Sequence, residues 1–230
     1  PEGKTSSLSR DLPVYLGSIV AIPVVAFFLN INEVLSYILG AAGVAIVLYF
    51  VVYGLRSEEK VEGQRLWVVA VLFIFHALFW ALFEQAGGSL TLFTEKNVDR
   101  VILGSEIPSS VFQSLNAFFI IILAPEFSFI WIRLNKANRE PSTPMKFVLG
   151  LAQLGLGYGI IVLGASAFSE MGTVPVIFLV LMYLFHTTGE LSLSPVGLSM
   201  ITKLSPAKIV GFVMGAWFLS ISLAYNMDGL

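Results

Sequence analysis

Leu184-Phe185-His186-Thr187-Thr188-Gly189-Glu190-Leu191-Ser192-Leu193-Ser194-Pro195-Val196-Gly197-Leu198-Ser199 is the stretch on which the fold turns. It continues the apolar run Val174 to Leu184, so Glu190 falls deep inside a segment with the length and character of a membrane span. An ionisable residue in such a place is expensive and, by default, functional. On a helix Glu190 and Ser194 share one face, while Pro195 lacks a backbone donor and leaves a carbonyl free nearby. A carboxylate, a hydroxyl and a released carbonyl suit a water-filled cavity, not a lipid-facing surface.

Composition points the same way. Hydrophobic residues fill 57% of the 230 positions and charged ones 12%, against about 25% charged in an ordinary soluble domain. This is the composition of an integral membrane protein. The net charge of -2 leaves no basic footprint for nucleic acid. With no cysteine there is no disulfide framework, thiolate nucleophile or thiolate metal site, and His76 and His186 cannot make a zinc site unaided. GxGxxG, GxxxxGK[ST] and HExxH are all absent, so the reading includes no metal and no cofactor. Pro1 to Asp11 lack the order of a cleavable signal, and the missing initial methionine suggests a fragment or a processed chain.

Seven apolar runs predict seven helical spans, too long and uniformly apolar for barrel strands. The first is Leu12 to Leu29 with Pro23 inside it, reversed at Asn30 to Glu33. The second, Leu35 to Tyr53, ends at Gly54 before the charged turn Arg56 to Lys60. These two read as a hairpin without charge or polar stripe, an appendage whose role is packing. The third run, Leu66 to Phe83, extends through Glu84 towards Gly87-Gly88, and a polar, irregular loop from Thr94 to Ser110 follows. The fourth run is Val111 to Ile132, with Asn116, Pro125 and Glu126 inside it. The remaining three are Phe147 to Phe168, Val174 to Met200 and Ile209 to Tyr225. Gly155, Gly157 and Gly159, like Gly211 and Gly215, read as close helix packing.

Alternate loops hold eleven of the thirteen Lys and Arg residues; only Lys96 and Arg100 lie on the opposite side. By the positive-inside rule the leader with Lys4 and Arg10 is cytoplasmic and the end at Leu230 external.

His76, Trp80 and Glu84 are spaced by four on the third run and line one face. Core filling accounts for His76, core or ligand contact for Trp80, but a buried carboxylate at Glu84 must be paired, protonated or hydrated. Trp217 lies mid-run, so an interfacial belt does not explain it, and core packing and ligand contact both remain open. Asn116 is placed to bond across helices, and Glu126 to face water or Arg133.

Phe79-Trp80-Ala81-Leu82-Phe83-Glu84-Gln85-Ala86-Gly87-Gly88-Ser89 resembles the seventh core helix of the proton-dependent oligopeptide transporters, a branch of the major facilitator superfamily. Leu115-Asn116-Ala117-Phe118 leading to Leu123-Ala124-Pro125 resembles their eighth helix. Gly189 to Ser199 resembles the tenth, and Gly215-Ala216-Trp217-Phe218 the eleventh. The resemblance implies an all-α polytopic transmembrane helical bundle, the C-terminal half of a bacterial member. Residues 1–65 would be a cytoplasmic leader and the inserted hairpin. Residues 66–230 would be core helices 7 to 11, with a last helix missing.

The resemblance further implies a multi-pass protein of the cell inner membrane that couples inward proton movement to symport of di- and tripeptides by alternating access. Glu190 would take the peptide amino group, Glu84 would serve proton coupling, and Asn116, Trp80, Ser194 and Trp217 would line the pocket. The partners implied are peptides, protons, the lipid bilayer and the N-terminal half of the same transporter. Two departures stand out. Glu126 follows the eighth-helix proline where an apolar residue is expected, and the ExxER motif of the first half is absent, so this chain alone should not transport. The rival classes are a noncatalytic membrane scaffold and an intramembrane enzyme using Glu84 and Glu190 as acid and base, for which no nucleophile pattern stands beside them.

Overall fold

A computed structural model describes residues 15–24, 27 and 32–228. The expected leader, parts of the first run, the reversal at 30–31 and the last two residues lie outside the described residues. Among the described residues eight α-helices follow in order: α1 (Tyr15–Val24), α2 (Asn32–Arg56), α3 (Lys60–Phe83), α4 (Ser89–Asn97), α5 (Ser114–Lys136), α6 (Thr143–Ala167), α7 (Val176–Leu204) and α8 (Val210–Asp228).

Among the described residues, five spans are long and apolar enough to cross a membrane: Glu33–Arg56, Lys60–Asn97, Ser109–Lys136, Thr143–Ala167 and Val176–Leu204. Seven were expected. The first run is described only in part, and the seventh forms α8, whose 19 residues reach about 28 Å at 1.5 Å per residue. That is just short of a hydrocarbon core of about 30 Å. The segment α7 runs on as one helix past Pro195.

The chain divides into two compact units, residues 1–42 and 43–230. This division falls earlier than the boundary drawn at residue 65 on the sequence. In the first unit, α1 and the start of α2 expose large apolar side chains such as Ile19, Ile22 and Tyr37. In the second, the rest of α2 is built into the bundle: Phe50 is fully buried and meets Phe73 and Phe212 edge-on. By contrast, none of the side chains of α5 is buried. Lipid tails are as apolar as leucine, so an apolar helix in a bilayer is under no pressure to bury itself.

The most extensive packing joins α6 to α7, and glycine explains it. A Cβ on Gly150 would lie 3.0 Å from the Gly189 carbonyl oxygen, one on Gly189 2.8 Å from that of Gly150, and one on Gly164 2.7 Å from the Phe178 ring. A Cβ on Gly157 would likewise lie 2.5 Å from the His186 ring. Gly150, Gly157 and Gly164 recur every seven residues, two helical turns, and so stay on one side of α6. Of the glycines read as packing on the sequence, Gly155, Gly159, Gly211 and Gly215 have open space around them. Residues two apart lie on opposite sides of a helix, so Gly155 and Gly159 cannot join Gly157 at one seam. Gly189→Ala is expected to destabilise the protein by about 1–3 kcal/mol, because the atom in the way belongs to a backbone. Thermal unfolding in detergent measures it, with Gly155→Ala as the control; equal melting temperatures would show that the seam can yield.

The loop after α3 is more ordered than expected. Instead of an irregular stretch from Thr94, α4 continues to Asn97, β1 (Val98–Asp99) pairs in parallel with β4 (Val174–Pro175), and β2 (Val101–Ile102) forms a hairpin with β3 (Ser105–Glu106). Leu103 and Gly104 turn this hairpin with φ of 52° and 81°, the two positive values that a primed turn requires. Leucine rarely adopts that region, so nothing in the sequence announces the turn.

At the opposite end, Lys146 is buried, donates to Glu140 and lies 4.5 Å from the Trp131 ring centroid. The Lys146 bond, then that from Asn135, holds the Glu140 carboxyl below its ordinary value of 4.5. A lowered carboxylate stabilises the folded state above its ordinary pKa, and that contribution fades as pH falls through the lowered one. Glu126 is exposed, and the ion pairs among the described residues, Arg100–Glu106 and Lys146–Glu140, do not join it to Arg133.

Candidate functional site

Four of the residues singled out on the sequence meet at one cavity. Trp80, Glu84, Asn116 and Glu190 line a space of about 270 Å³, together with Phe83, Ala86, Gly87, Gln113, Tyr183 and His186. Each arrives by a local rule. Trp80 rides the last turn of α3, and Glu84 opens the 3-10 turn Glu84–Ala86 into which α3 breaks before the Gly87-Gly88 pair. The break turns the chain so that α4 starts afresh at Ser89, and it leaves Glu84 at a helix end rather than inside a continuous helix. Asn116 sits in the first turn of α5, and Tyr183, His186 and Glu190 recur along α7 at helical spacing.

Hydrogen bonds fix the carboxylate of α7. Asn116 Nδ2 donates to Glu190 Oε2 at 2.9 Å and to Thr187 Oγ1 at 3.2 Å, while the Thr187 hydroxyl donates to the Tyr183 carbonyl at 2.8 Å. The interhelical bond expected of Asn116 is therefore formed, and its partner is the carboxylate itself. A carboxylate offers about four acceptor positions, so one amide bond leaves capacity for a ligand. Tyr225 of α8 lies within reach of Glu84. Gln113 is held at the rim by donating from Nε2 to Thr91 Oγ1 at 2.9 Å, whose hydroxyl donates to the Ala86 carbonyl at 2.6 Å.

Ser194 and Trp217 do not line this cavity. Ser194 lies half-buried one turn beyond Glu190 on α7. Trp217 is buried, stacked on the His76 ring at 3.8 Å between centroids and 26° between planes, with Phe147 against its edge. His76 accepts from Trp80 Nε1 at 2.8 Å and lies 2.6 Å from Ser220 Oγ. Gln113, Tyr183 and His186 were missed on the sequence. The last two were legible as an i−7, i−4 stripe behind Glu190; Gln113, in the 3-10 turn Ser109–Gln113, has no period to betray it.

The lining residues combine two carboxylates with aromatic walls and include neither lysine nor arginine. Such a set can hold a proton or an organic cation, and the aromatic faces suit an ammonium. Family-level similarity is extensive. The sequence model described as the POT family matches residues 19–230. The chain belongs to the POT family. The peptide transporter YePEPT of Yersinia enterocolitica is 38% identical over 203 residues, covering 87% of this chain and 39% of that protein. Dipeptide and tripeptide permease B of Salmonella typhimurium is 31% identical over 229 residues, all of this chain and 47% of the permease. Among solved structures, a peptide transporter POT in complex with sulfate superposes with a TM-score of 0.75 at 34% identity, over 99% of this chain and 47% of that one. A POT family transporter in complex with 5-aminolevulinic acid gives 0.76 at 29% identity, over 100% and 48%. The chain thus spans less than half the length of these relatives. It is a multi-pass membrane protein of a transporter family, with the helical bundle expected of a major facilitator superfamily member.

Proposed function

We propose that this chain is the C-terminal half of a proton-coupled symporter for di- and tripeptides, oriented with its Lys- and Arg-rich loops in the cytoplasm. The observation that carries the reading is the meeting of Glu84 and Glu190 on one cavity whose lining holds no lysine or arginine. Two carboxylates facing one aromatic-walled space favour a cation there, and a proton or a peptide ammonium is one. Relatives named as peptide transporters and permeases support the ammonium.

In this reading Glu190, oriented by Asn116, takes the peptide amino group, and Glu84 binds and releases the coupled proton. Trp80 forms a wall of the pocket. Ser194, one turn along α7, joins the pocket where the N-terminal half covers the exposed faces of this one. The two carboxylates are coupled through their charge: an uncompensated one favours protonation, and a peptide cation arriving at Glu190 lowers that need. Ligand and proton occupancy are then linked, which is what coupling requires.

The complete protein in proteoliposomes, given labelled L-alanyl-L-alanine and an imposed pH gradient, acid outside, is expected to accumulate the dipeptide. Uptake that is identical with and without the gradient would remove proton coupling from the proposal, and the absence of dipeptide uptake and binding would remove the substrate class.

A further inference from the structure

We infer that His76 is a positioning residue: a neutral imidazole that fixes the Trp80 indole at the cavity wall and ties α3 to α8. The inference rests on the reading of the cavity as the peptide pocket, but its geometry stands apart from that reading. The indole N–H of Trp80 can only donate, so the 2.8 Å contact makes His76 Nε2 the acceptor. On the other side of the ring, the Ser220 hydroxyl donates to the Trp217 carbonyl at 2.6 Å. Its single proton is therefore committed, and the 2.6 Å contact between His76 Nδ1 and Ser220 Oγ must be donated by the ring. These two constraints leave one tautomer, with hydrogen on Nδ1 and none on Nε2. A second ring proton would aim N–H at N–H.

The ring's faces and edges are equally engaged. His76 is 2% exposed and Ser220 fully buried, Trp217 stacks on one face of the imidazole, and the Trp80 ring meets it at 72°. Packing alone would hold Trp80 among Phe79 and Phe83, yet it would not choose where the indole N–H points. The relay Trp217 carbonyl, Ser220, His76, Trp80 makes that choice. Its Ser220 link hydrogen-bonds His76 and the Trp217 carbonyl, not Trp80, and does not line the cavity, so a purely steric role and a relay role part company there.

The test uses the complete transporter with ¹⁵N-labelled tryptophan, the Trp80 indole resonance being assigned by its loss in Trp80→Phe. His76→Phe keeps an aromatic ring on Trp217 but removes both hydrogen bonds, and the Trp80 N–H is expected to shift upfield and exchange rapidly with solvent. His76→Gln, whose amide both accepts and donates, is expected to restore protection. Ser220→Ala releases the tautomer and is expected to weaken protection of an indole to which Ser220 makes no hydrogen bond. Affinity for L-alanyl-L-alanine should fall roughly three- to tenfold in His76→Phe, the worth of one hydrogen bond, and not fall further when Trp80→Phe is already present. A Trp80 indole that His76→Phe and Ser220→Ala leave protected overturns the inference, as do additive losses in the double variant. Should the wild-type protein not bind the dipeptide, the proposed function fails, while the indole measurements still decide the role of His76.

Discussion

Glu190→Gln in the complete transporter is expected to weaken L-alanyl-L-alanine binding by roughly 10- to 100-fold, the range of a lost charge-assisted hydrogen bond, without unfolding the protein. Glutamine fills the same volume and keeps an oxygen to accept from Asn116 Nδ2, now 2.9 Å from Glu190 Oε2. The interhelical bond between α5 and α7 therefore survives, and only the charge is lost. Asn116→Leu separates the two contributions from the other direction. It keeps the charge but leaves the carboxylate without its orienting donor, so a smaller loss of affinity should accompany a lower melting temperature. Calorimetric titration and thermal unfolding on the same preparations measure both. If Glu190→Gln binds the dipeptide as tightly as the wild type, the ammonium site lies elsewhere.

How far the sequence reached depends on which residues carry a period. His76, Trp80 and Glu84 announce one face of α3 by their spacing of four, and two of the three do line the cavity. The third is the support behind Trp80. Trp217, left open between core and ligand on the sequence, packs on His76 because α3 and α8 cross there, and no one-dimensional pattern contains that crossing. The α6–α7 seam shows the same limit. The local cluster Gly155-Leu156-Gly157-Tyr158-Gly159 draws the eye, whereas the operative glycines are Gly150, Gly157 and Gly164, each paired with a particular atom of α7. Helices apolar on every side erase the amphipathic signal that would separate a protein-facing stripe from a lipid-facing one.

Polar residues in the apolar runs were the better guide, since each needs a partner that lipid cannot supply. Glu190, Asn116 and Glu84 were found that way, and they converge. Gln113 escaped although it lies inside the fourth run, because the third residue of a run, next to Ser114, looks solvated. The hairpin of β2 and β3 escaped because its turn is Leu103-Gly104, not a pair that favours positive φ. Where the chemistry of a residue demands company, sequence reading succeeds; where geometry alone decides, the partner must be seen.

Glu84→Gln carries the largest expected effect: pH-driven accumulation of dipeptide is abolished while exchange of labelled for unlabelled dipeptide across the membrane persists. Glutamine resembles the protonated carboxyl in size and in offering an N–H donor, but it can never release a proton, so the cavity is locked in one member of the pair that coupling must alternate between. Exchange asks only that a loaded binding site face each side in turn, and no net proton movement is needed for it. Accumulation asks that protonation bias the alternation. One pH unit stores about 1.4 kcal/mol per proton, enough to hold a concentration ratio near tenfold for each coupled proton, and without coupling that ratio falls to one. The place of Glu84, at the 3-10 break that ends α3 and within reach of Tyr225 on α8, suits a group whose charge state is felt by two helices at once. Steady-state inside-to-outside ratios under an imposed gradient and counterflow rates without one supply the two measurements. Wild-type accumulation in Glu84→Gln would assign coupling to another group. Loss of counterflow with dipeptide binding intact would mean that Glu84 is needed for the alternation itself, because a variant defective only in coupling must still let the loaded site change sides.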